Sequence, residues 1–101
     1  MLELRTFRLA DGGSVVAARG GIDAEGTAQI LAAVLLCARE GMVVDLLQAQ
    51  LVDIDALDEL VATAGHATFV AARPLTDALD LIGLRRHVAV SPTLHAAVTV
   101  S

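Results

Sequence analysis

The stretch Met42-Val43-Val44-Asp45-Leu46, continuing through Leu47–Val52 into Asp53-Ile54-Asp55-Ala56-Leu57-Asp58-Glu59-Leu60-Val61, decides the fold. Its first five residues are apolar apart from Asp45 and contain a Val pair, as in a central strand buried on both faces. Leu47–Val52 neither alternates nor shows helical spacing. After it, Leu57, Leu60, Val61 and Ala64 recur at i, i+3, i+4 and i+7, which predicts a helix from Ala56 to about Ala64. Asp55 or Asp53 is positioned to cap that helix, and Gly65 stops it. A buried strand running straight into a capped helix is the unit of a parallel α/β sheet.

Working outward, the same alternation recurs on both sides. Met1–Leu9 places Leu2, Leu4, Phe7 and Leu9 among Glu3, Arg5 and Arg8, with a phase slip near Thr6, as in a strand with one wet face. Asp11-Gly12-Gly13 supplies the positive-φ positions of a hairpin turn, and Ser14–Arg19 forms the second strand, ended by Gly20-Gly21. Asp23 caps a helix expected from Ala24 to about Glu40. Its stripe is Ala28, Leu31, Leu35 and Ala38, widened by Ile30, Val34 and Leu36, with Gly41 as the C′ residue. Downstream, Ala67–Ala71 reads as a strand. A helix opened by Pro74 carries Leu75, Leu79 and Ile82 inward as far as Gly83. Arg86–Val90 is a last strand, and Ser91-Pro92 opens a final helix to about Val98 as N-cap and N1. The expected fold is α/β: a mixed, mostly parallel five-stranded sheet with about four helices, in the order β-β-α-β-α-β-α-β-α, over one domain spanning residues 1–101.

Composition bounds the function. A chain of 101 residues buries roughly 60–70% of its unfolded surface. Only Phe7 and Phe69 are aromatic, so the core is aliphatic. The net charge is −5, every basic residue is Arg, and Arg85-Arg86 is the only basic pair. Nucleic acid and anionic membranes reward dense positive charge, so neither is an expected partner. The chain has no Lys, Asn, Tyr or Trp, which suggests the coding bias of a GC-rich bacterial genome. No apolar run reaches membrane-spanning length, and the first nine residues read as a strand rather than a signal peptide, so the cytoplasm is the expected compartment. Cys37 stands alone in an apolar helical stretch and reads as a small buried thiol.

Enzyme chemistry finds little support. Gly20–Gly26 lacks the Lys of a phosphate loop and carries two carboxylates that would repel a phosphate. His66, His87 and His95 are not at metal-ligand spacing. None of Ser14, Ser91 and Ser101 lies in a nucleophile elbow. The dense constellation is Asp53-Ile54-Asp55-Ala56-Leu57-Asp58-Glu59. As a Ca²⁺ loop it has the wrong residues at Leu57, Asp58 and Ala64. Helix capping and a favourable dipole explain the acids, with Asp55 accepting backbone N–H bonds. A loose Mg²⁺ module on Asp53 and Asp55 is the enzyme-like alternative. No cofactor is expected.

These segments together resemble the STAS family, the anti-anti-sigma-factor domains, from about Leu2 to Val98. Gly21-Ile22-Asp23 resembles the family's G-x-L/I-D, and Val43-Val44-Asp45-Leu46 its V-V-D-L strand. Leu51-Val52-Asp53-Ile54-Asp55-Ala56-Leu57 falls where the family has a loop reading φ-x-D-S-S-G-L. Leu81-Ile82-Gly83-Leu84 resembles the L-x-x-x-G-L that ends the third helix. The resemblance implies a non-enzymatic module that binds an anti-sigma factor, often a serine kinase that phosphorylates the loop and so breaks the complex. Asp53 matches the loop's acid, Ile54 replaces the first hydroxyl residue, Asp55 stands at the phosphosite, and Ala56 replaces Gly.

The resemblance therefore implies an anti-sigma factor antagonist with a permanent charge at the switch, either phosphomimetic or independent of phosphorylation. Its expected partner is an anti-sigma factor, a serine-kinase-type regulator or another sigma-factor pathway protein. The expected docking residues are Asp23, Asp53, Ile54, Asp55, Ala56, Leu57 and Asp58. The segment from Ala56 to Ala67 is short for the family, which trims part of the usual partner surface. The alternative is a STAS-like scaffold or accessory subunit of stressosome or lipid-transporter type, and a homodimer is among the expected states.

Overall fold

The computed structural model describes residues 2–10, 12–37 and 41–100. The elements are β1 (Glu3–Arg8), β2 (Ser14–Ile22), α1 (Ala24–Leu35), β3 (Met42–Leu51), α2 (Ile54–Ala64), β4 (Thr68–Val70), α3 (Leu75–Leu81), β5 (Ala89–Ser91) and α4 (Leu94–Val100). A 3-10 turn at Arg85–His87 precedes β5. The strands form one sheet in the order β1-β2-β3-β4-β5; β1 is antiparallel to β2 and every other pair is parallel. This is the α/β architecture that the sequence predicts.

The Val pair of β3 explains why the sheet is covered on both faces. Val44 joins Val16, Leu46 and Phe69 in the larger core under α1, α2 and α3. Val43 points the other way and meets Val15, Val70 and Ala97 under α4. Each of these eight side chains is essentially inaccessible to water. Burying a Val or Leu stabilises by about 1.5–3 kcal/mol, so two aliphatic cores can hold this sheet with little aromatic help.

Several boundaries differ from the sequence reading. β2 does not end at Arg19: Gly20 and Gly21 stay in the ladder opposite Ala49 and Gln50. β3 likewise continues past Leu46 to Leu51. The register slips between Ala17 and Arg19, where Asp45 to Gln48 spans three residues on β3 against two on β2. That extra residue breaks the alternation, which is why Leu47–Val52 shows no period. The Asp45 carboxylate accepts the Leu47 N–H at 3.0 Å across the irregularity.

α1 also departs. It ends at Leu35, and its buried face is Gly26, Thr27, Ile30 and Val34. Ala28 is exposed, and Leu35 and Leu36 are 79% and 89% exposed. Ala38, the last member of the expected stripe, lies outside the described residues, as does the expected helix end at Glu40. The helix is so rich in Ala and Leu that several phases fit it. Gly41 is therefore not a helix C′ residue. Its φ of +69° and a hypothetical Cβ 3.0 Å from Gly13 Cα tie it to the start of β2 instead. Ser91 belongs to β5 rather than capping α4; Thr93 takes that role, its hydroxyl accepting the Ala96 N–H at 3.1 Å. Arg86 and His87 lie in the 3-10 turn, so the last strand starts at Ala89.

Candidate docking corner

β2 and β3 end side by side, and the two chain reversals that follow are clamped together. The Ile22 carbonyl accepts both the Val52 N–H at 3.3 Å and the Asp53 N–H at 3.2 Å. Gly21 allows this approach, since a Cβ there would stand 3.0 Å from Val52 Cγ2. α1 and α2 therefore start as neighbours at the C-terminal edge of the sheet, the place where α/β folds present their recognition surfaces.

Each helix is capped by an aspartate in extended backbone. Asp23 Oδ1 accepts the Gly26 N–H at 2.7 Å, and its carbonyl accepts Thr27 N–H at 2.9 Å. Asp53 Oδ1 accepts the Asp55 N–H at 2.9 Å, and its carbonyl accepts Ala56 N–H at 3.1 Å. The cap of α2 is thus Asp53. Asp55 donates its backbone N–H to that cap rather than accepting one, and its own carboxylate is left exposed on the first turn.

The expected docking residues divide in two. Asp23, Asp53, Asp55 and Asp58 are exposed, and Ile54 is 37% exposed. Ala56 and Leu57 are 3% and 1% exposed and pack into the larger core. Their side chains face away from any partner because they lie on the inward stripe with Leu60 and Val61. They hold the corner from beneath. Two residues escaped sequence reasoning. Val52, 66% exposed beside Asp53, adds apolar surface to the rim. Thr27 is wholly buried, and its hydroxyl donates to the Ala56 carbonyl at 3.2 Å, tying α1 to the first turn of α2. A lone Thr within an apolar helix face was the available signal for it.

The corner is strongly acidic. Asp23, Glu25, Asp53, Asp55, Asp58 and Glu59 cluster at or near the two helix starts, and all are exposed. Among the described residues the ion pairs are Arg73–Asp77 and Arg85–Asp80, so no Arg neutralises these six. Such a surface favours a cationic partner and steers its approach. Among the described residues, no three His, Cys, Asp or Glu side chains gather as metal ligands. His66, His87 and His95 lie in three separate parts of the chain. No helix of the described residues is long and apolar enough to cross a membrane. Cys37 is half-buried at the edge of the larger core.

A sheet in sequential strand order, its first pair antiparallel, with three helices on one face and a fourth on the other, defines the STAS class of α/β domain. The chain has this fold and is similar over its length to anti-sigma factor antagonists. An anti-sigma factor antagonist from Mycobacterium paratuberculosis superposes with a TM-score of 0.75 at 26% identity, covering 99% of this chain and 93% of that one. The anti-sigma factor antagonist SpoIIAA in its unphosphorylated form gives 0.63 at 17% identity, covering 97% and 96%. The Bacillus cell fate determinant SpoIIAA in its phosphorylated form gives 0.58 at 16%, covering 98% and 100%. No protein-family model matches the chain, and no curated protein matches it. The similarity supports a regulatory role of the STAS type.

Proposed function

We propose that residues 1–101 form one non-enzymatic regulatory module that docks an anti-sigma factor or serine-kinase-type regulator through the acidic corner. Asp55 serves there as a fixed charge. The observation that carries this reading is the division of labour between the two acids. Asp53 is occupied in capping α2, whereas Asp55 makes no side-chain hydrogen bond among the described residues and presents its carboxylate to solvent. Phosphoserine carries about −1.5 to −2 at neutral pH, against about −1 for an ionised aspartate. A serine kinase has no hydroxyl to act on at Asp55, so docking at this corner is set by the sequence and not by phosphorylation.

Capture from cells of the source bacterium tests this. The wild-type chain is expected to retain a kinase-like or sigma-related protein, and D55K to lose it. Recovery of neither kind of protein by the wild type counts against the reading, as does equal recovery by D55K.

A further inference from the structure

β1 is an edge of the sheet: β2 pairs with one side of it, and no described strand lies along the other. Two bonds fix which of its backbone groups face outward. The Leu9 N–H donates to the Gly13 carbonyl at 2.7 Å, whereas the Ser14 N–H turns away from β1 to the Gly41 carbonyl at 3.2 Å. Alternation along the antiparallel ladder then gives β2 the N–H and C=O groups of Glu3, Arg5 and Phe7. Those of Leu4, Thr6 and Arg8 are directed outward, where an open edge offers a template for another strand. The side chains alternate as well. Leu2 and Leu4 pack against the larger core. Glu3 and Arg5 stand on the opposite face, exposed, and among the described residues neither takes part in an ion pair.

We propose that β1 pairs antiparallel with β1 of a second copy of the chain, about a two-fold axis normal to the sheet at Leu4, so that the two sheets become one. An axis in that direction keeps the faces of the sheet, so opposed residues share a face and the axis must pass through a residue. Centred on Leu4, it lets Leu4 exchange backbone bonds with the second copy's Leu4, and Leu2 with its Thr6. Glu3 falls opposite the second copy's Arg5, and Arg5 opposite its Glu3. These are non-hydrogen-bonded positions, where side chains come closest. Glu3 then has a cation on either side, Arg19 of its own β2 and the second copy's Arg5. The neighbouring registers lack this self-complementarity, which an isologous contact requires. Centring on Glu3 sets Glu3 on Glu3, and centring on Arg5 sets Arg5 on Arg5. Centring on Thr6 puts Leu4 against Arg8 and leaves Glu3 opposite Leu9. The helices leave room for the pairing. α4 packs on β3, β4 and β5, at the far end of the sheet. α1 lies mainly over β2. With strands about 4.8 Å apart, the two copies of α1 stand about 14 Å apart, clear of the about 8–10 Å at which helices pack.

Sedimentation equilibrium on the full chain reads the result. The wild type is expected to move from 10.4 kDa toward twice that mass as concentration rises. E3R and R5E each set like charges opposite one another at two places by symmetry, and each is expected to self-associate at least about tenfold more weakly. An equimolar mixture of E3R and R5E is expected to recover association, as is the chain carrying both changes, because both restore opposite charges across the axis. T6P removes an outward N–H while leaving the ladder to β2 intact, and is expected to stay monomeric. A thermal melt checks that each variant folds; should T6P unfold, the charge variants carry the test alone. A wild type that stays monomeric up to its solubility limit overturns the proposal. So does a folded T6P that dimerises like the wild type, an E3R or R5E that associates undiminished, or a mixture that fails to associate. Such a failure leaves the Asp55 corner untouched, since none of the substituted residues belongs to it.

Discussion

Replacing Asp53 and Asp55 separately distinguishes an acid that builds the corner from one that uses it. Asp53 Oδ1 takes the Asp55 N–H at 2.9 Å, one of the four N–H groups that a helix start leaves without partners. Truncation to Ala loses that bond and a negative charge at the positive end of α2. A lost cap costs about 0.5–2 kcal/mol and the charge about 0.3–1 kcal/mol, so D53A is expected to lose about 1–3 kcal/mol. In a domain of this length each kcal/mol moves Tm by about 4–8 °C. Asn caps nearly as well as Asp, so D53N is expected to recover most of the loss. D55N removes only an exposed charge and is expected to cost at most about 0.5 kcal/mol. Urea unfolding monitored by circular dichroism measures all three, with an unchanged m-value confirming that stability alone has moved. Equal losses in D53A and D55N, or no recovery in D53N, would refute the assignment of the cap.

Other outcomes follow from the same geometry. T27V keeps the volume of a buried side chain but removes the donor to the Ala56 carbonyl; a loss of about 1 kcal/mol is expected, with amide shifts at 53–57 as the local readout. Ala favours helices over Gly by about 1 kcal/mol, yet G26A is expected to destabilise, because its Cβ would stand 2.6 Å from the Gly21 carbonyl oxygen; a raised Tm would contradict this. L57A empties a site beneath the corner and is expected to cost about 2–5 kcal/mol by urea unfolding. With ATP and a serine-kinase-type partner, intact-mass measurement is expected to show no phosphate on the wild-type corner and one phosphate on D55S. Phosphate elsewhere on the corner of the wild type would count against a fixed charge.

Much of the fold was legible because the deciding signals were local. The Val pair at 43–44 and the glycine at 65 each leave a mark in a few consecutive residues and match the structure, and the acids at 53 and 55 mark the start of α2 without showing which of them caps it. The misreadings came where a long-range partner decides. β2 and β3 extend to Ile22 and Leu51 because each supplies the other's hydrogen bonds beyond the bulge, a pairing invisible in either segment alone. In α1 the expected Ile30 and Val34 are buried and Leu31 packs at the edge of the core, but Ala28, Leu35 and Leu36 are exposed, because an Ala- and Leu-rich helix offers several apolar stripes and contacts with the sheet and α2 choose among them. At the corner, position in the motif pointed to Asp23, Asp53 and Asp55. The helical stripe of Leu57, Leu60, Val61 and Ala64 turns Leu57 inward against its place in the motif, whereas the sequence could not show that Ala56 turns inward too, nor that Asp53 rather than Asp55 holds the helix start. Those facts depend on where α2 lies against the core.

The charge carried at position 55 is most directly tested by the affinity of the captured regulator for wild type and for D55K, measured by titration calorimetry on proteins of matched thermal stability. At least a tenfold weakening, about 1.4 kcal/mol, is expected for D55K. Affinities within a factor of about two would show that the partner does not read this carboxylate.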